Sequence, residues 1–152
     1  MLTEEIHSDI ENSVLCWLAT ADPDGHPNVS PKELFCADGD AALVIAEVTS
    51  PNSVRNIRAN PAVCVSFVDV FRQHGFKMTG RAELIESGTE DFAKAGTRLL
   101  DMAGPDFRVR RIIRIRIDRV ARIWAPSYRI FPDRSVEEQM RRGYETYGVR
   151  PV

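Results

Sequence analysis

Ser50-Pro51-Asn52-Ser53-Val54-Arg55 is the segment of this sequence best suited to hold an anion. Ser50 can cap a helix that begins at Pro51, because proline lacks the N–H that a helix start leaves unpaired. Pro61 closes the segment. The free N–H groups of the first turn, together with the helix dipole, favour negative charge there. Asn52, Ser53 and Arg55 add polar groups, while only Val54 and Ile57 give the helix an apolar face. A second group lies in Pro27 to Lys32, PNVSPK. In extended chain Ser30 and Lys32 are two residues apart and share a face. A hydroxyl beside an ammonium suits a phosphate. Convergence of this strand with the helix start would bring four or five donors to one anion. Each piece also has a plain reading, the helix as a capped connector and Lys32 as a charge protecting an edge strand.

Trp124 is the third unusual residue. It ends a strand-like run on the face that carries Arg114, Arg116 and Arg122. A tryptophan there is a packing residue, an interface anchor or a stacking surface for an aromatic ring.

Other chemistries lack their patterns. The sequence has no G-x-S-x-G, no paired His and carboxylate motif, no P-loop and no G-x-G-x-x-G. Redox chemistry would therefore come from a bound cofactor. Cys16, Cys36 and Cys64 are odd in number with no C-x-x-C, against a disulfide framework. His7, His26 and His74 have no ligand spacing, so no metal is expected. The arginines between Arg108 and Arg122 suggest nucleic acid, but 22 acidic residues leave the net charge at −2, and no aromatic residues interleave with the run. No apolar run is long enough for a membrane span, and the acidic start MLTEEIHSDIENS is unlike a signal peptide. A cytoplasmic protein without nucleic-acid or membrane partners is expected.

The positioning elements are strands joined by turns, in a single domain over residues 1–152 with a tail at 135–152. Residues 3–13 read as a helix capped by Thr3. Val14 to Thr20 is a strand apolar on both faces, hence buried by the core and by something else. Asp22-Pro23-Asp24-Gly25 is a turn, followed by one return strand from Pro27 to about Ala37, with Pro27 and Pro31 marking it as edge or bulged. Strands follow at Ala41–Val48, Val63–Val68 and Phe76–Glu86, the last with a bulge signal at Gly80. Gly88 to Ala103 reads as a helix burying Phe92, Ala95, Leu99 and Met102 or Ala103. In the strand Ile112–Trp124, alternation places Ile113, Ile115, Ile117, Ala121 and Ile123 on one face. Ser135 to Tyr147 reads as a capped polar helix. The fold class is mainly β with flanking helices.

The order of these elements resembles the pyridoxamine 5′-phosphate oxidase-like, FMN-binding split-barrel family. The matching pieces are the Asp-Gly-x-Pro hairpin opening PNVSP, the strand LVIAEV, N-I-R-A-N-P at Asn56 to Pro61, the strand with Gly80, and IWAPSY at Ile123 to Tyr128. Together they span residues 5–130. The resemblance implies a six-stranded antiparallel split β-barrel and a homodimer holding two FMN molecules at the subunit interface. By position, Val29, Ser30, Pro31 and Lys32 would line the flavin and its phosphate. Ile45, Ala46, Glu47 and Val48 would pass the isoalloxazine ring through backbone contacts. Asn52 and Ser53 fall at the family's phosphate-binding pair, and Asn56 matches the recurrent Asn of the helix. Trp124 matches a Trp that reaches the flavin from the partner subunit.

The departures bear on activity. The oxidases carry an Arg where this chain has Ser30, and a basic pair where it has Asn52-Ser53. Their C-terminal Arg/His substrate motif has no counterpart in SYRIFPDRS. Lys32, Arg55 or a partner-chain arginine would then meet the phosphate charge. The expectation is an FMN-dependent oxidoreductase acting with a small electron donor and acceptor, its catalytic residues unassigned. The alternatives are a flavin-binding or storage module without turnover, and a split barrel using a deazaflavin or haem, with His74 as the candidate axial ligand.

Overall fold

The computed structural model describes residues 1–151. In chain order its elements are α1 (Glu4–Asn12), β1 (Cys16–Ala21), β2 (Pro27–Lys32), β3 (Phe35–Asp38), β4 (Ala42–Glu47), α2 (Pro51–Ala59), β5 (Ala62–Asp69), β6 (His74–Glu86), α3 (Glu90–Ala103), β7 (Arg111–Trp124), α4 (Ser127–Ile130) and α5 (Val136–Tyr147). The strands form one antiparallel sheet in the order β2-β1-β5-β6-β7-β4-β3.

Seven strands stand where six were expected. The run expected as one return strand breaks at Glu33-Leu34 into β2 and β3, which pair with β1 and β4 at opposite edges of the sheet. Only two residues separate them, so chain reach keeps the two edges within about 10 Å. The sheet must therefore roll into a barrel with a seam where β2 turns into β3. One backbone bond, Ala46 N–H to Leu34 O at 2.9 Å, ties that seam to β4. Pro27 and Pro31 are tolerated because β2 is an edge strand.

Thr3 caps α1 as expected, accepting from Ile6 N, and Ile6 and Ile10 face the barrel. Leu18, Val65, Met78, Ile113 and Ile115 fill the interior without exposure. α3 closes a second cluster in which Leu99 and Ala103 meet Val44 and Ile112. Met102 is exposed, so Ala103 completes the stripe. Ser135 caps α5 through Glu138 N.

The bulge signalled by Gly80 is present. Register shifts between Thr79 and Gly80, which pair with Arg119 and Ile117 and leave Asp118 without a partner in β6. A Cβ at Gly80 would lie 2.1 Å from Arg116 O, so only glycine fits that approach. The extra residue inverts the alternation of β7. Ile117 before the bulge and Val120 after it both pack on the core, whereas Ala121 is exposed. The expectation that Ala121 shares the face of Ile113 is thus overturned by one inserted residue.

The outer face of β1 and β2 stays open in the chain, with Trp17 46% and Val29 56% exposed, and Val14, just before β1, is 79% exposed. The chain itself covers only the inner face of the strand that was expected to be buried on both sides. Among the described residues, no helix is long and apolar enough to cross a membrane.

Candidate functional site

α2 lies against β1 and β2 through a ladder of small polar side chains. Asn56 Nδ2 donates to Thr20 Oγ1 at 3.1 Å. Asn28 Nδ2 reaches Thr20 Oγ1 at 3.3 Å and Ser53 Oγ at 3.4 Å. Ser30 and Ser53 hydroxyls meet at 3.5 Å. Asn28, Ser30 and Lys32 share one face of β2 because strand side chains alternate. Thr20, Ser53 and Asn56 are buried, so each needs these partners.

The ladder ends at Lys32, whose ammonium donates to Ser50 Oγ at 2.5 Å. Ser50 occupies the expected cap position, but its side chain makes no capping bond because Lys32 engages the hydroxyl. The buried carboxylate of Glu47 serves the helix start instead, accepting Ser50 N–H on Oε1 at 2.7 Å. A carboxylate suits a helix N-terminus. Glu47 Oε2 accepts from Arg111 Nη1 at 2.8 Å. Lys32, Ser50, Glu47 and Arg111 form one chain of contacts with two cations and one anion. Burial pulls the Lys32 ammonium below its usual range, and the Glu47 charge opposes that pull.

The ends of β2 and β4 enclose a cleft of about 300 Å³ beside Lys32. Pro31, Lys32, Leu34, Ala46, Val48 and Phe107 line it. The structure thus brings together residues named from two separate strands. Ile45 does not line the cleft, and its side chain is wholly buried in the core. Val29 points to the open outer face of β2.

The helix residues divide. Ser53 and Asn56 face β1 and β2, while Arg55 points away and binds Asn52 Oδ1 at 2.8 Å. Arg55 is therefore not beside Ser30 and Lys32. Trp124 also has a separate neighbourhood. Its ring lies 4.8 Å from Tyr128 and 6.0 Å from His74, and Arg122 sits 4.6 Å from its centroid. His74 is largely buried, with Nδ1 held 3.0 Å from Asp9 Oδ2. Burial raises the Asp9 carboxyl above its usual range, against the lowering effect of His74.

Sequence reasoning missed Asn28, Thr20 and Phe107. Asn28 was findable, since its two-residue spacing from Ser30 continues the same polar face. Thr20 needed the β1–β2 register, and Phe107 follows α3 with no periodic signal.

The family model for pyridoxamine 5′-phosphate oxidase matches residues 2–124. HupZ of Group A Streptococcus is 28% identical, over 79% of this chain and 92% of that one, with a TM-score of 0.68. An F420 reductase is 30% identical over 79% of this chain and 98% of that one, with a TM-score of 0.59. An FMN-binding protein of Syntrophomonas wolfei shares the fold alone, at 16% identity over 80% of this chain and 86% of that one, with a TM-score of 0.67. Comparison with curated proteins finds no match.

Proposed function

The chain belongs to the pyridoxamine 5′-phosphate oxidase family, and on that premise we propose that it is an FMN-binding homodimer that passes electrons between small molecules. The observation that carries the reading is the adjacency of the β2–β4 cleft to Lys32, whose face of β2 also carries the Ser30 hydroxyl that meets Ser53. A flat ring needs an apolar slot, and a phosphate needs donors and charge at one end of it.

The residues fit such a group. The Ser30–Ser53 contact, at 3.5 Å, and the Asn28–Ser53 contact, at 3.4 Å, are long, so these groups can re-aim at phosphate oxygens. Lys32 supplies the positive charge that Asn52-Ser53 lacks. Pro31, Ala46 and Val48 offer apolar walls to the ring. The cleft is at the small end of the ~300–1,000 Å³ typical of ligand sites, consistent with completion by a second subunit. Exposed Val14, Trp17 and Val29 give that subunit an apolar surface to cover. In this reading the cofactor brings the hydride and electron chemistry. The chain grips the phosphate, orients the ring through the β4 backbone and excludes water. Trp124, remote from the cleft's own lining, would approach the ring from the partner subunit. A cytoplasmic setting remains part of the proposal.

A second reading keeps the site and changes the cofactor to a deazaflavin. The F420 reductase at 30% identity favours it. Titrating the purified protein with FMN and with F420 in parallel separates the two readings, since the resident cofactor binds more tightly. Bleaching of the bound cofactor by NADPH then distinguishes turnover from storage.

A further inference from the structure

The outward face of α2 opens on a second cleft, of about 800 Å³, lined by Arg55, Arg58, Arg110 and Arg111 together with Thr49 and Glu47. We propose that this cleft binds a small molecule carrying a diphosphate group, separate from the cofactor phosphate beside Lys32.

The charge balance carries the argument. Arg111 is held between Glu47, at 2.8 Å, and Glu86, at 3.2 Å. Arg58 shares Glu86 at 3.3 Å. Arg55 meets only the neutral Asn52 amide oxygen, and among the described residues no carboxylate pairs with Arg55 or Arg110. Four guanidinium groups therefore face two carboxylates, a surplus of two positive charges (4 − 2) in one concavity. A concave surface concentrates such a field, and like charges held together there are relieved by an anion.

The geometry selects the anion class. A guanidinium presents a planar fork that matches phosphate oxygens in pairs. Arg55 belongs to α2 and Arg110 to the segment that leads into β7, so two arginines without a carboxylate partner line the cleft from different elements. Two linked phosphates meet two such forks, whereas one phosphate needs only one. The cleft is also larger than the one beside Lys32, leaving room for the rest of a nucleotide-sized molecule. Thr49 lines both clefts, which makes them neighbours across the β4–α2 connection.

The test is calorimetric titration of inorganic diphosphate into the purified protein, with and without saturating FMN, and of citrate in parallel. Saturable diphosphate binding is expected in both states, weakening as salt rises. Arg110→Gln weakens it about tenfold, with an unchanged circular dichroism spectrum and unchanged FMN affinity. Arg55→Gln weakens it to a similar extent. Absence of binding, equal binding by Arg110→Gln, or displacement of FMN by diphosphate overturns the proposal, and tighter binding of citrate overturns the assignment to phosphate. The titration without FMN keeps this inference testable even where the flavin reading fails.

Discussion

Lys32 on the edge strand β2 donates its ammonium proton to Ser50 at the start of α2, across 2.5 Å. That single contact joins two segments 18 residues apart. It also explains why Ser50 does not cap the helix it precedes: the hydroxyl serves the lysine, and Glu47 takes over the helix start. The Lys32 ammonium is thereby held beside the cleft and partly dehydrated.

A pH dependence follows from that burial. The Lys32 ammonium titrates below its ordinary 10.5 in the folded chain. Between the folded value and 10.5 the unfolded chain binds more protons, so this group makes stability rise with pH across that interval. Binding runs the other way, because the charge that meets the phosphate is lost over the same interval. FMN affinity should therefore fall as pH climbs from neutral toward 10.5. Fluorescence titrations across that range should show the fall in the natural protein and a flat profile in Lys32→Ala.

Gly80→Ala should destabilise the barrel. The new methyl would meet the backbone oxygen of Arg116 at 2.1 Å, a contact that neither strand can relieve by turning a side chain. A loss of about 2–3 kcal/mol is expected, read as a lower urea midpoint at unchanged slope. An unchanged midpoint would show that the bulge does not depend on glycine.

The three thiols should react in a fixed order. Cys16 is fully buried, and burial pushes its pKa to about 12. Cys36 is also buried and raised, while Cys64 is only half-buried. At neutral pH a thiol reagent should modify Cys64 first and reach Cys16 only after denaturant is added. Mass spectrometry of the partly labelled protein reads the order.

Trp17→Arg should separate the proposed dimer. Trp17 and Val29 stand exposed on the outer face of β1 and β2, where a charge would face apolar surface in an interface. Sedimentation should find a dimer for the natural chain and a folded monomer for the variant. A natural chain that sediments as a monomer at all concentrations removes the homodimer.

Much of this was legible from local signals. Thr3, Ser135 and the Gly104 stop set helix ends, and Ser30 with Lys32 gave one face of the site because strand alternation needs no tertiary knowledge. What escaped depended on register. One unpaired residue, Asp118, inverted the faces of β7, and nothing in the spacing of Ile117 and Ala121 shows it. The split of PNVSPKELFCAD into β2 and β3 arises because each half finds a different partner strand. Arg55 was grouped with Ser53 because both are polar and near a helix start. Two positions along a helix turn the side chain through about 200°, which sends Arg55 to the opposite cleft.

In the proposed function, the Lys32 end of the β2–β4 cleft holds the phosphate of FMN. Quenching of flavin fluorescence by the purified protein, compared with Lys32→Ala, reads that contact. Saturation at one FMN per chain is expected, with a loss of about tenfold to a hundredfold in the variant. Saturable binding with equal affinity in both proteins, or no saturable binding of FMN to the natural chain, would contradict it.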